Sequence, residues 1–411
     1  MTKSPLVTPV LIAGIVILIV SFGIRSSFGL FQIPIAAEFG WPRAEFSMAI
    51  AVQNLAWGFG APVFSAIAER FGDRKAVAIG AVLYALGLVL SSMATTPLQM
   101  QLLEVFVGFG IAGAGFGVIL AVVGRASSAE NRSLALGITT GAGSLGQVLG
   151  APLAEALLAR MPWQSVFVVF AVMVLAILFA LPFLRAPVVA TKAELEDTMR
   201  TVMLRAFRDP SFLMIALGFF SCGYQLGFIT AHFPAFVTEM CGAIDPAGTL
   251  AALGITTTSA LGALAISVIG LANIGGSIAA GWLGKTYTKK YLLSGIYVLR
   301  TIASILFIML PMTPTSVLFF SLVMGAMWLA TVPLTSGLVA HIYGLRYMGT
   351  LYGFVFLSHQ IGSFLGIWLG GRMYDLTGDY TLVWWVGIGV GAFSAIIHLP
   401  IREARAMPVA A

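Results

Sequence analysis

Ser21-Phe-Gly-Ile-Arg-Ser-Ser-Phe-Gly-Leu-Phe-Gln-Ile-Pro34 and Ser221-Cys-Gly-Tyr-Gln-Leu-Gly-Phe-Ile-Thr-Ala-His-Phe-Pro234 stand 200 residues apart and repeat Ser, Gly, Phe and Pro in register. At matched positions Arg25 stands against Gln225, and Gln32 against His232. A repeat of half the chain length, with both copies inside apolar segments, predicts a membrane protein of two similar halves. Polar groups at lipid depth in such a chain are functional candidates by default.

The composition points the same way. Of 411 residues, 59% are hydrophobic and 9% charged, and the mean hydropathy is +0.99. An ordinary water-soluble core cannot hide that much apolar surface, so the chain reads as a polytopic membrane protein. Membrane strands alternate apolar and polar residues over roughly ten positions, whereas these runs are apolar on every side for about twenty, which predicts helices. The net charge of +6 sits in the loops and gives no reason to expect nucleic acid. Cys222 and Cys241 are the only cysteines, one inside an apolar run, so no disulfide framework is expected. The N-terminal apolar run continues past Arg25 to Phe31 without a small-residue cleavage site and reads as an uncleaved first helix.

Apolar runs and their Pro and Gly breaks give twelve spans, at 9–33, 44–67, 76–95, 98–124, 133–158, 164–184, 211–236, 258–284, 290–310, 314–341, 347–372 and 381–400. The loops on one side hold the Lys and Arg clusters, among them Arg70, Arg74, Lys75, Lys285, Lys289 and Lys290. The other side has only Arg43, Arg160 and Arg372. This bias predicts that both termini are cytoplasmic, in the inner membrane of a prokaryote. The expected organisation is a six-helix bundle over 1–184, a cytoplasmic linker over 185–210 and a second six-helix bundle over 211–411. Within the linker, Ala193 to Phe207 has amphipathic helical spacing and reads as a helix lying on the membrane surface.

Between the second and third spans stands Ser65-Ala-Ile-Ala-Glu69-Arg70-Phe-Gly72-Asp-Arg74-Lys75. It resembles the major facilitator signature G-x-L-x-D-R-x-G-R-K, with Ser for the first Gly and Glu for Asp. A degraded copy, Gly281-Trp-Leu-Gly-Lys285-Thr-Tyr-Thr-Lys289-Lys290, follows the eighth span. With the repeat and the charged linker, the resemblance extends over nearly the whole chain and implies the all-α major facilitator fold, twelve transmembrane helices in two pseudo-symmetric six-helix bundles. It also assigns Glu69, Arg70, Gly72, Arg74 and Lys75 to a gating loop. Within the superfamily, spans one, four, five, eight and eleven look like the monocarboxylate transporter and oxalate/formate antiporter branch. That resemblance puts His359 at a helix-eleven cation position and Ser277 where a helix-eight Arg is expected, a loss that speaks against dicarboxylates.

Arg25 lies sixteen residues into the first span, toward the outer side of the bilayer centre. Arg there costs on the order of 2.5–3.5 kcal/mol on insertion scales, so it must face a wet cavity or a partner. Two readings stand: its planar fork holds a substrate carboxylate, or it pairs with Glu104 at similar depth on the fourth span. His359, near the middle of the eleventh span, can be neutral or charged near physiological pH, so it and Glu104 are the proton-coupling candidates. Tyr224, Phe228 and His232 form one helical stripe, with Tyr224 and His232 expected at the cavity mouth. Gln53, Asn54, Asn273 and Gln360 are further binding candidates, equally able to bond between helices. Arg300, on the peripheral ninth span, is expected in a structural pair or snorkelling.

Gly108-Phe-Gly110-Ile-Ala-Gly113 and Gly141-Ala-Gly143-Ser-Leu-Gly146 spell dinucleotide motifs but follow no strand. They read as packing faces, as do Gly146-Gln-Val-Leu-Gly150 and Gly362-Ser-Phe-Leu-Gly366. There is no H-E-x-x-H, no Walker A loop and no Cys/His cluster, so neither an enzyme, a metal site nor a cofactor is expected. The expected function is secondary active transport of a small organic anion, a monocarboxylate, with proton symport or anion exchange and the single chain as the transport unit. The rival is a proton-coupled exporter of lipophilic compounds that uses Glu104 and an aromatic pocket.

Overall fold

A computed structural model describes residues 6–41, 43–186 and 198–404. Among the described residues every regular element is a helix. The spanning helices are α1 (Pro9–Phe31), α2 (Arg43–Phe71), α3 (Asp73–Ser91), α4 (Pro97–Ala126), α5 (Arg132–Leu158) and α6 (Trp163–Phe183) in the first half. The second half has α7 (Pro210–Met240), α8 (Thr258–Thr286), α9 (Lys289–Met309), α10 (Pro314–Tyr343), α11 (Met348–Thr377) and α12 (Thr381–Ile397). Eleven are long and apolar enough to cross a membrane, and α12 is a shorter apolar helix of 17 residues. At 1.5 Å per residue it still reaches about 26 Å, close to the hydrocarbon thickness.

Every third helix begins alike. Proline opens α1, α4, α7 and α10, where its missing N–H costs nothing, and Thr8, Thr96, Asp209 and Thr313 cap the first turn with a side-chain oxygen. The fourth and tenth helices also break alike: α4 interrupts at Ala114–Gly115 and α10 at Met327–Ala330. The periphery carries exposed apolar side chains such as Val172, Phe179, Trp282 and Phe319, a surface suited to lipid rather than water.

Lipid supplies no hydrophobic force between helices, so close backbone packing must hold them together. The glycines on α5 provide it against α1: a Cβ on Gly146 would run into the Ile19 carbonyl, and one on Gly150 into the Gly23 carbonyl. The second half repeats the device between α7 and α11, where Gly362 and Gly366 lie against the Phe220 and Tyr224 backbones and Gly223 lies against the His359 carbonyl. Gly23 and Gly223 are the matched glycines of the repeat.

The contacts that join the halves run from mid-depth to the side bearing the basic loops. Gly137 of α5 lies against Ser277 and Gly281 of α8, and α2 packs along α11. On that side the linker forms a helix over Met199–Arg208, with Val202 and Ala206 buried and Thr198 as N-cap. The expected start at Ala193 lies outside the described residues. Tyr343 at the end of α10 donates to Asp209 Oδ2 at 2.6 Å, tying the linker to the second half.

Gly150→Ala should destabilise the folded protein by about 1–3 kcal/mol through overpacking. Gly389→Ala on α12, whose added methyl meets no atom within 4 Å, should be neutral or stabilising by up to about 1 kcal/mol. Thermal unfolding in detergent separates the two; equal melting temperatures for both variants would contradict the packing account.

Candidate functional site

Arg25 reaches across to α2, donating from Nη2 to Asn54 Oδ1 at 2.7 Å, with its guanidinium 4.8 Å from the centre of the Trp57 ring. Its Nε has no hydrogen-bond partner. The alternative pairing with Glu104 does not form. Glu104 is buried within the first half and takes a hydrogen bond from Gln53 Nε2 at 2.6 Å and one from Ser91 Oγ at 3.2 Å. Gln53 is thereby committed to holding Glu104, while Asn54, the next residue, turns to Arg25.

Asn54 continues the contact into the second half. Gln360 Nε2 donates to the Asn54 carbonyl at 3.0 Å, and Gln360 Oε1 lies 2.9 Å from His359 Nδ1. Because the Gln360 amide nitrogen is the donor toward Asn54, its oxygen is the acceptor, and His359 Nδ1 carries the proton. A second, aromatic connection runs alongside: Trp57 packs on Phe356 at 4.7 Å between centroids, and Phe356 stacks on His359 at 5.2 Å with 9° between planes. Arg25 and His359 are therefore joined at mid-depth by one polar and one aromatic chain of contacts. Each chain crosses from the first half to the second.

Other expected contacts fall elsewhere. Asn273 is fully buried; it donates to Ser144 Oγ at 2.6 Å and accepts from Ser277 Oγ at 3.1 Å and from the Leu329 N–H at 2.8 Å. Leu329 lies in the break of α10, so Asn273 satisfies a backbone group freed by that break, a structural task in lipid. Tyr224 donates to the Val383 carbonyl at 3.2 Å, and His232 Nε2 lies 2.8 Å from the Ile367 carbonyl, with Tyr380 beside its ring. Their stripe packs on α11 and α12. Of the two expectations for Arg300, snorkelling is excluded by its full burial, and no carboxylate pairs with it among the described residues. It is fully buried and donates from Nη1 to Cys222 Sγ at 3.4 Å. Proximity to Cys222 was invisible in sequence because the two residues lie on different helices, 78 positions apart.

The signature loop closes the basic side. Glu69 accepts from the Thr350 N–H at 2.9 Å and also from the Thr350 hydroxyl, so an acid at the end of α2 caps the start of α11 from the other half. Gly72 holds φ at +102°, a left-handed value that suits glycine. Asp73 pairs with Arg125 at 2.5 Å, and Arg74 Nη2 donates to the Pro182 carbonyl at 2.7 Å. Arg70 and Lys75 remain exposed on the same side. The degraded copy has Lys285 in the acid's place, and Glu403, from beyond α12, accepts from the Lys289 and Lys290 backbones at the start of α9 within the same half.

Glu69→Gln should weaken closure of this side, since a hydrogen bond to a charged group is worth about 1.5–3 kcal/mol. Spin labels at positions 75 and 346 should report a broader, longer distance distribution in the variant. An unchanged distribution would remove Glu69 from the closure.

The profile of the Major Facilitator Superfamily matches residues 13–366. The chain is 26% identical over 388 residues to the uncharacterized MFS-type transporter YcxA of Bacillus subtilis, covering 91% of this chain and 90% of that protein. It is also 26% identical over 369 residues to monocarboxylate transporter 13 of Bos taurus, covering 88% and 81%. Two solved structures share the fold at low identity. The fucose:proton symporter FucP of E. coli superposes with a TM-score of 0.68 at 14% identity, covering 94% of this chain and 97% of that one. The proton:xylose symporter XylE gives 0.73 at 13%, covering 96% and 95%. With a family profile spanning most of its length and the helix architecture to match, this chain belongs to the Major Facilitator Superfamily, as an integral membrane transporter.

Proposed function

We propose that the protein is a secondary active transporter of a small monocarboxylate, working by alternating access between a bundle over 1–184 and a bundle over 211–411 joined by the linker 185–210. One observation carries the reading: Arg25 stands at mid-depth with no carboxylate partner, its Nε unbonded, and is connected through Asn54 and Gln360 to His359. A guanidinium fork suits a carboxylate, and a substrate that offers one supplies the missing negative charge. The monocarboxylate transporter relatives agree with that chemistry.

His359 is the titratable contact. A proton there adds positive charge on the far side of the same polar chain, which favours an anion bound at Arg25. Substrate and proton together add no net charge, so the loaded site carries the same charge through the low-dielectric barrier as the empty one. The Asn54–Gln360 and Trp57–Phe356 contacts lie where the halves meet, so occupancy of the site bears on the interface that must rearrange. The Glu69 cap on α11 acts as the lock on the basic side, which is the cytoplasmic side of an inner membrane on the charge bias of the loops.

The exporter reading rests on Glu104, a buried carboxyl held by the neutral donors Gln53 and Ser91. Glu104 faces the interior of the first half and makes no bond to the Arg25–His359 chain, which favours the carboxylate reading.

The expected outcome in proteoliposomes is uptake of at least one small monocarboxylate driven by an inward pH gradient. Arg25→Ala should reduce it by about a hundredfold, and Arg25→Lys by less, since each tenfold corresponds to ~1.4 kcal/mol and Lys keeps the charge but not the fork. Normal transport by Arg25→Ala, or transport of bulky neutral compounds with no carboxylate carried, would overturn the proposal.

A further inference from the structure

Arg300 on α9 is 0% exposed. Only one of its three nitrogens is engaged, Nη1 on Cys222 Sγ at 3.4 Å, while Nε and Nη2 have no hydrogen-bond partner. A bare guanidinium in a helix bundle is strongly destabilising unless a negative charge answers it. Several helices around it supply a definite group, and the end of α12, which packs along α9, places His398 on the Tyr297 ring at 5.2 Å between centroids. From α9 itself, the Tyr297 ring centre lies 5.7 Å from the guanidinium carbon. From α10 comes Thr331, whose Oγ1 is 3.4 Å from the same sulfur. From α11 come Tyr352 and His359, both near enough to Cys222 to interact with it electrostatically, and His359 Nε2 has no hydrogen-bond partner. The Tyr297 and Tyr352 hydroxyls are likewise unbonded. Phenols ionise in water only near pH 10 and threonine not at all, whereas a thiol does so near 8.5, so among these groups the Cys222 sulfur is the readiest to carry a negative charge.

We propose that Cys222, Arg300 and His359 form a buried proton-binding site in the second half, in which the Cys222 thiolate is the counter-charge of Arg300. The chemistry is acid–base only. With His359 Nδ1–H committed to Gln360, Nε2 is the nitrogen left without a partner, and a proton arriving there passes to Sγ to leave a neutral imidazole and a thiol. No electron changes hands. The close approach of α7 to α11 at Gly223 holds donor and acceptor together, because any side chain at that position would collide with the His359 carbonyl. The repeat puts Phe22 where the second half has Cys222, so the site belongs to one half only. The proposal gives the proton a seat next to the substrate-facing histidine. It deepens the transport reading without needing a substrate to test it.

The test uses purified full-length protein in detergent, first by far-ultraviolet difference absorbance on acidification. Wild type should lose a thiolate band that Cys222→Ser lacks and that Cys241→Ser retains. In an acid jump followed with a pH indicator, Cys222→Ser should take up about one proton fewer per molecule than wild type, as the loss of a single titrating group requires. Arg300→Lys should keep the band and Arg300→Gln should lose it; if Arg300→Gln fails to fold, the near-isosteric Cys222→Ser comparison still decides. The absence of a Cys222-dependent band, or equal proton uptake by wild type and Cys222→Ser, overturns the proposal. A charge balanced by a bound inorganic anion instead would appear as chloride-dependent stability with no thiolate band, and that also overturns it. Failure of carboxylate transport, in contrast, leaves these readouts untouched and bears only on the transport reading.

Discussion

Backbone-to-backbone contact at glycine is the constraint on which the rest of this structure depends. In lipid, leucine gains nothing by leaving its neighbours for another helix, so α1 meets α5, and α7 meets α11, only because glycines let carbonyl oxygens touch the facing chain. Those two contacts set the depth and rotation of the helices that carry Arg25 and His359. A methyl group at Gly150 or Gly223 would move the cation or the histidine along with the helix, well before it disturbed any side chain of the site.

Polar residues inside the bundles divide by the task they perform. Asn273 serves the backbone freed by the break in α10, and Gln53 and Ser91 serve the buried Glu104. Asn54 and Gln360 serve neither: they bond to each other across the halves and to Arg25 and His359. A structural polar group in low dielectric is bonded as fully as its chemistry allows, while a group that waits for substrate or proton keeps capacity free.

Closure follows a different logic. Glu69 caps a helix that belongs to the other half, so the same hydrogen bonds that finish α11 also hold the two halves together on the basic side. Such a cap can be broken without unfolding either half, because α11 merely exchanges one partner for water. The degraded copy has Lys285 in the acid's place, and the cap on α9 comes from Glu403 within the second half. The two copies of the signature therefore look alike in sequence and act on different interfaces.

The hydropathy of the chain determined twelve apolar helices, since each apolar run is read by the bilayer one segment at a time. The repeat at Ser21 and Ser221, and the glycine spacings of α5 and α11, determined which positions would pack closely, because small residues on one face of a helix have few other uses in lipid. Partner choice was not legible. Sequence puts Arg25 and Glu104 at similar depth and leaves them as natural partners, yet helix rotation turns Glu104 toward Gln53 and Ser91 and turns Arg25 toward Asn54. The Tyr224, Phe228 and His232 stripe was read correctly as one face, but only the tertiary structure decided that the face meets α11 and α12. Arg300 is the sharpest case: a structural pair and a snorkelling charge were both open for a peripheral helix, and the packing around it decided that it lies buried against Cys222. Burial in lipid is a property of single segments and shows in sequence, whereas pairing of charges depends on the azimuth of two helices at once.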